Sequence, residues 1–281
     1  MRVVTVIENT AAQDKLFHEN GLCLYVEYMN RKILIGTGES AKAAENARRM
    51  KLDLEGITDI VIPHNHYSVT GGLDAFMRFS PNARIFVRQA AKNDFYVKPN
   101  LFKYRIGDAG GFFKHYKKNI ILYSFFSEIC EGFYLTGVEN PDEKYVNAGK
   151  LYYKKEGSRR VLDNFAQESF CVVFPSGNRR DGAVIVTAGG FSGAVNMIES
   201  FRLRYPESPI MAVIGGFNLM KTLNHSSVGD DFITGLAQRL DGTGISEFYT
   251  CFNTGFAAFD VMDKQLKKKL HYIGAGEELT F

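Results

Sequence analysis

Four strand-like runs in this chain end in loops rich in histidine, glycine or small polar residues. Ile57–Pro63 runs into His64-Asn65-His66, and Ala183–Thr187 into Gly189-Gly190-Phe191-Ser192-Gly193. Ile210–Ile214 runs into Gly215-Gly216-Phe217-Asn218, and Glu247–Thr250 into Cys251-Phe252-Asn253-Thr254-Gly255. Short apolar runs of this kind suit buried strands. Helical patterns at Ala194–Leu203 and Val228–Leu240 separate the last three. Alternation of strand, loop and helix predicts parallel β/α units, whose sites gather in the loops at the strand ends. Each block is preceded by a β-rich stretch. In the N-terminal half it is Val3–Ile7, Leu22–Met29 and Lys32–Ile35, with a turn at Asn30-Arg31. In the C-terminal half it is Ser169–Phe174, joined to Ala183–Thr187 by a turn at Ser176–Gly182. Two halves, each β-rich first and then β/α, predict two sheets with helices outside.

The remaining elements are read from periodicity and capping. Ser40–Leu52 is expected to be a helix with Ser40 as N-cap, and Gly71–Phe79 a second helix. Phe256–Leu270 is expected to be a helix ending in Lys267-Lys268-Lys269, where lysines suit the macrodipole. Arg84–Arg88 reads as a strand. Residues 93–118 fit no simple pattern, and such a segment is either a lid over a site or a surface excursion. No linker-like stretch divides the 281 residues, so a single domain over 1–281 is expected, with an insertion near 93–132.

Composition excludes several classes. A formal charge of +3 gives no case for nucleic acid or an anionic membrane as partner. No apolar stretch approaches a membrane span, and the N-terminal apolar run stops at Glu8, too soon for a signal peptide. The four cysteines, Cys23, Cys130, Cys171 and Cys251, are scattered, with no paired spacing for a zinc knuckle or a disulfide framework. A cytoplasmic protein with reduced thiols is the simplest expectation.

His64 and His66 are the first candidates for chemistry. Two residues apart on an extended chain, their rings face the same side and can reach one ion. Zinc needs three or four ligands, so the pair by itself fits a hydrogen-bonded polar cavity better than a metal site. Gly36-Thr37-Gly38 and Gly274-Ala275-Gly276 could offer N–H groups to a phosphate, but such glycine pairs more often make tight turns.

The order of these loops resembles the metallo-β-lactamase fold family, and within it the subgroup named dihydropterin ribofuranosylaminobenzene phosphate synthase. The likeness runs through IENTA (7–11), HENGLCLYVE (18–27), KILIGTGES (32–40), HNHYSVTGGL (64–73), FYLTGVE (133–139), VIVTAGGFSGAVNMIE (184–199), AVIGGFNL (212–219), FNTGFA (252–257) and YIGAGEELTF (272–281). The resemblance implies a four-layer αββα sandwich of mixed α/β class. It also implies a HxHxDH loop, completed by ligands from three later loops, that holds one or two metal ions and an activated water. His64 and His66 match the first two ligands. Ser68 stands where the family has aspartate and Val69 where it has histidine. Phe191, Asn218 and Phe252 stand at the later ligand positions, and Gly36 where the family has an aspartate that orients ligands.

Valine and phenylalanine have no donor atom, and an asparagine carbonyl suits only hard cations. The leading expectation is therefore a degenerate member of this fold, without the dinuclear centre or any cofactor, in a ligand-binding, regulatory or assembly role. The alternative is a single-metal hydrolase that holds one zinc or other divalent ion on His64 and His66. Cys251 or His225 would supply a ligand from outside the family pattern, and the substrate would be a phosphorylated or pterin-like small molecule. A homo-oligomer or an active homologue is the expected protein partner. No catalytic residue follows from the sequence.

Overall fold

The computed structural model describes residues 1–98, 102–107, 111–147, 151–221 and 226–281. The chain forms two compact units: Met1–Phe125 with Gly149–Glu168 and Gly274–Phe281, and Phe126–Ala148 with Ser169–Ile273.

The first unit holds a seven-stranded sheet. Across it, in order, lie Glu278–Thr280, Arg2–Ile7, Cys23–Tyr28, Arg31–Ile35, Asp59–Ile62, Arg84–Arg88 and Ile120–Tyr123. The first four are antiparallel, and Arg31–Ile35 onward is parallel. Side chains of one parity, such as Val4, Tyr25, Leu34, Ile60 and Ile85, pack with Ala43 and Ala47 of the helix Lys42–Arg49 and with Phe76 of the helix Leu73–Met77. Residues of opposite parity, including Leu24, Val26, Ile33, Ile35, Val61 and Phe86, are buried as well. This is why these strands read as continuous apolar runs rather than alternating ones.

The same unit contains a second, small sheet in the order Arg159–Leu162, Tyr152–Glu156, Phe95–Val97 and Tyr104–Arg105. The segment that matched no simple pattern therefore supplies two of its strands. The segment also contains a short helix, Gly111–His115.

The second unit repeats the plan. Its sheet runs Leu270–Tyr272, Glu247–Thr250, Ile210–Gly215, Ala183–Val186, Phe170–Val173, Phe133–Thr136 and Phe126–Cys130. The first four strands are parallel and the others antiparallel. Helices Ala194–Arg204, Asp230–Asp241 and Phe256–Leu266 pack on it through residues such as Ile198, Phe201, Leu236, Leu240 and Met262.

Several element boundaries differ from expectation. The first helix begins at Lys42, with Ala41 as its cap residue. Ser40 stands one residue outside, where its Oγ accepts the Lys42 N–H and donates to Glu19. The predicted helix Gly71–Phe79 is shorter, Leu73–Met77, and a separate short helix, Tyr67–Thr70, precedes it. They meet where Gly71 and Gly72 press on neighbouring backbone. A β-carbon would come within 1.9 Å of the Glu39 carbonyl at Gly71, and within 2.0 Å of the Thr37 carbonyl at Gly72. The last helix stops at Leu266 because Lys267 turns to a φ of +52°. Leu270–Tyr272 then pairs as a strand beside Glu247–Thr250. No helix among the described residues is long and apolar enough to cross a membrane.

Candidate functional site

In the first unit, Asp59–Ile62 delivers the chain into Pro63-His64-Asn65-His66 at the carboxyl end of a parallel strand. Both histidine rings are buried and meet edge to face, with centroids 4.7 Å apart. Burial holds both imidazoles neutral, pushing His66 down to about 3 and His64 well below its ordinary range, the latter also through His66. The His66 ring stacks on Tyr152 of the small sheet, with centroids 5.8 Å apart and planes 8° from parallel. Phe95 meets its edge at 6.0 Å.

Gln167 fixes this arrangement. Its Oε1 accepts the Asn65 N–H at 2.8 Å, so its Nε2 is the donor. That amide nitrogen lies 3.4 Å from His66 Nε2 and 3.2 Å from Asp163 Oδ2. His66 Nε2 is then an acceptor, and the ring proton sits on Nδ1. Asp163 also accepts the Phe165 N–H at 2.9 Å. Burial holds its carboxyl above the usual range, against the opposing pull of those hydrogen bonds and of Lys154. Asn65 is anchored further by Nδ2, which donates to the Ala91 carbonyl at 2.9 Å. Ile106 and Gly107, which follow the strand Tyr104–Arg105, pack against this loop. The Ile106 carbonyl accepts the Tyr67 N–H at 2.7 Å, and Gly107 has no room for a β-carbon beside the Asn65 carbonyl.

Ser68 and Val69 follow in the short helix Tyr67–Thr70. Both lend backbone to neighbouring loops, the Ser68 carbonyl to the Leu22 N–H and the Val69 carbonyl to the Thr37 N–H and hydroxyl. Val69 is fully buried. Gly36, with a φ of +69°, sits against it. A β-carbon there would lie 2.4 Å from the Leu22 carbonyl and 3.3 Å from the Val69 Cβ. The backbone at residue 36 is thus shaped for glycine, and a larger side chain would have to displace Val69 and Leu22. The Gly36-Thr37-Gly38 and Gly274-Ala275-Gly276 turns use their N–H groups within the chain, on Val61, Val69, Leu22, Glu277, Thr10 and Thr5. They are turns and do not form anion cradles.

In the second unit, Phe191, Asn218 and Phe252 are all buried. Their three loops meet. Gly190 approaches the Gly216 carbonyl too closely for a β-carbon, and Gly216 approaches Asn253 Oδ1 in the same way. Asn218 and Asn253 are joined twice, by the Asn218 N–H to Asn253 Oδ1 at 3.2 Å and by Asn253 Nδ2 to Asn218 Oδ1 at 3.3 Å. The Asn253 carbonyl accepts from Leu219 and Met220, and Thr254 Oγ1 accepts the Phe217 N–H at 3.0 Å. Asn218 and Phe252 both have positive φ, +54° and +51°. Asparagine tolerates that region, whereas for phenylalanine it is strained and must be enforced by its surroundings. Cys251 is fully buried. His225 lies outside the described residues.

Comparison with known proteins places this architecture. No family model matches the chain. It is 25% identical over 304 aligned residues to a 7,8-dihydropterin-6-methyl-4-(β-D-ribofuranosyl)-aminobenzene-5′-phosphate synthase of Methanocaldococcus jannaschii, covering 100% of this chain and 97% of that protein. Tm1679, a metal-dependent hydrolase of the β-lactamase superfamily, superimposes with a TM-score of 0.81 at 24% identity, over 100% of this chain and 99% of the other. The chain has the metallo-β-lactamase fold. A second protein of that fold, YhfI from Bacillus subtilis, matches with a TM-score of 0.54 at 8% identity, over 99% of each chain.

The metallo-β-lactamase fold implies a metal centre, and the donors of this chain can be tested against one. A bound zinc takes three or four strong ligands, and a two-metal site takes more. Among the described residues, no three His, Cys, Asp or Glu side chains come together to hold an ion. The neighbours of His66 include the His64 imidazole, a neutral amide, a phenol ring and a phenyl ring, and Asp163 stands behind Gln167. This donor set does not fit a dinuclear centre.

Reading the sequence for ligands overlooked Gln167, Asp163 and Tyr152. None belongs to a metal motif, and all three lie about a hundred residues from the histidines they serve. The available signal was polar residues in Asp163–Glu168 immediately before a buried strand.

Proposed function

We propose that this metallo-β-lactamase-fold chain works without the dinuclear metal centre, as a ligand-binding, regulatory or assembly component rather than a hydrolase. The observation that supports this reading is the Gln167 amide on His66 Nε2. It gives the ring a fixed tautomer and a hydrogen-bond partner, which in metal sites are supplied by the ion and its outer ligands. The side chains at Ser68, Val69, Phe191, Asn218 and Phe252 agree with it, since three of the five have no donor atom. The name of the M. jannaschii relative suggests the class of ligand, a pterin-linked or phosphate-bearing small molecule. A second copy of the chain or an active homologue is the protein partner this reading favours.

Metal content tests it. Protein purified without chelators should carry well under one zinc, iron or manganese per chain, and added zinc should leave its melting temperature unchanged. One tightly bound ion per chain, lost together with hydrolytic activity when His64 or His66 is replaced, would instead establish the single-metal hydrolase.

A further inference from the structure

The small sheet of the first unit has two unlike faces. Its inner face carries Phe95, Val97 and Tyr152, all buried, with Tyr152 and Phe95 against His66. The strand register fixes what lies on the other face. Tyr153 pairs with Tyr96 on one side and Leu162 on the other, Tyr96 pairs with Arg105, and Lys155 pairs with Arg160. Side chains alternate along a strand, so these residues share the outer face with Lys98, Lys103 and Asp94. Ring geometry agrees with that placement. Lys103 Nζ stands 3.5 Å from the centroid of the Tyr153 ring, and the Arg160 guanidinium 4.1 Å from that of Tyr96.

Five cations therefore share this face with one carboxylate among the described residues. Asp94 is divided between Arg105 at 3.3 Å and Lys155 at 3.8 Å. Lys98 and Arg160 both lie close enough to Lys103 to repel its charge. Desolvation lowers the Lys103 ammonium below its ordinary value, and repulsion from Lys98 and Arg160 lowers it further. A chain with a formal charge of only +3 has concentrated like charge on one small surface. The tyrosine rings and Asp94 offset this repulsion only in part, and an anionic partner would relieve it further.

We propose that this face, built from Tyr96, Lys98, Lys103, Tyr153 and Arg160, binds single-stranded nucleic acid. The surface is an open sheet face on which tyrosine rings alternate with cations. That combination suits a phosphodiester backbone, and Lys103 or Arg160 drawn onto a phosphate would uncover the half-exposed Tyr153 or Tyr96 ring for a base to stack on. Leu162 is the exposed aliphatic residue among those described in this row, where cations outnumber apolar groups, and this favours nucleic acid over a bilayer. The near-neutral total charge hid this surface from the sequence. The proposal is independent of the metal question, because it concerns the face of the sheet turned away from His66.

The test is fluorescence anisotropy of the full chain with labelled single-stranded RNA and DNA of about 20 nucleotides, long enough to exceed the usual site size of one small sheet module. Titrations run from about 50 to 200 mM salt, the range in which attraction to phosphates is weakened. The parent should bind at low salt and weaken steeply as salt rises. Lys98→Gln, Lys103→Gln and Arg160→Gln together should reduce affinity at least about tenfold and flatten the log–log salt slope by roughly 2, given about 0.7 for each phosphate neutralised on a single strand. A control with the same charge change, Lys264→Gln, Lys267→Gln and Lys268→Gln, alters exposed lysines of the second unit and should leave binding as in the parent. Each single variant of the first set is also measured, so misfolding of the triple variant cannot mask the result. Absence of parental binding at low salt would overturn the proposal. So would equal losses in both triple variants, or tighter binding to anionic phosphatidylserine vesicles through the same residues.

Discussion

Replacing Gln167 by leucine removes the amide and keeps most of the volume, so the effect reports hydrogen bonding rather than a cavity. Three interactions go: Asn65 N–H to Oε1 at 2.8 Å, and Nε2 to Asp163 and His66 at 3.2 and 3.4 Å. The buried Asn65 N–H loses its Gln167 acceptor, which costs about 1–3 kcal/mol. Asp163 keeps the Phe165 N–H, so its loss is partial, and the long approach to His66 adds least. The total is about 2–4 kcal/mol, or a fall in melting temperature of about 4–16 °C for a chain of this size. Thermal and urea unfolding measure the total. Hydrogen exchange at the Asn65 amide measures the local part, and its protection should fall most. A variant within about 0.5 kcal/mol of the parent, with Asn65 still protected, would refute the claim that Gln167 organises the histidine loop.

Asp163→Asn keeps an acceptor for Phe165 and Gln167 but cannot ionise. The Asp163 carboxyl is held above its usual range by burial, so in the parent its contribution is full below about pH 3.9, the unfolded value, and is lost as pH rises through the raised folded value. The asparagine variant should lack that decline, and its stability relative to the parent should grow with pH across the window, as read by urea midpoints. Gly71→Ala would press a β-carbon onto the Glu39 carbonyl at 1.9 Å and should destabilise by about 3 kcal/mol or more, since backbone rather than a rotamer must move. Gly235→Ala, in an exposed helix interior with open space around it, should instead stabilise by about 0.5–1 kcal/mol in the same assay. Combining Ser68→Asp, Val69→His, Phe191→His, Asn218→His and Phe252→His should lower the metal-free melting temperature and let zinc raise it by linkage, with poor hydrolysis of generic phosphodiesters. High activity without a change at Gly36 would show that the ligand-orienting surroundings are intact.

Much of the fold was legible. The parallel strands are buried on both faces, so Ile57–Pro63 and Ile210–Ile214 announced themselves as apolar runs, and the polar loops at their ends marked where side chains of interest lie. The short outer strands were not legible. Leu270–Tyr272 follows a helix without a glycine or proline break, and the turn depends on Lys267 adopting a positive φ, which lysine composition conceals. Tyr152–Glu156 and Arg159–Leu162 are half-exposed and heavily charged, so neither burial nor β-branching singled them out. Of the site, His64 and His66 could be picked by spacing. Gln167 could not, because its role depends on a chain crossing a hundred residues away that brings an otherwise ordinary amide to a histidine nitrogen.

Tyr152 and Tyr153 are consecutive residues with opposite allegiances, one against His66 and the other under Lys103. The pleat is the only thing that separates them. Loss or gain of one residue between Leu151 and Glu156 would exchange the two sides, bringing the neighbour of Lys103 in against the imidazole and sending the imidazole's own ring to solvent. Drift in the length of this hairpin therefore keeps both faces in place when it proceeds two residues at a time, or when a bulge absorbs the odd residue. The histidine loop and the cationic surface share one reading frame, so neither can be shifted along the strand without the other.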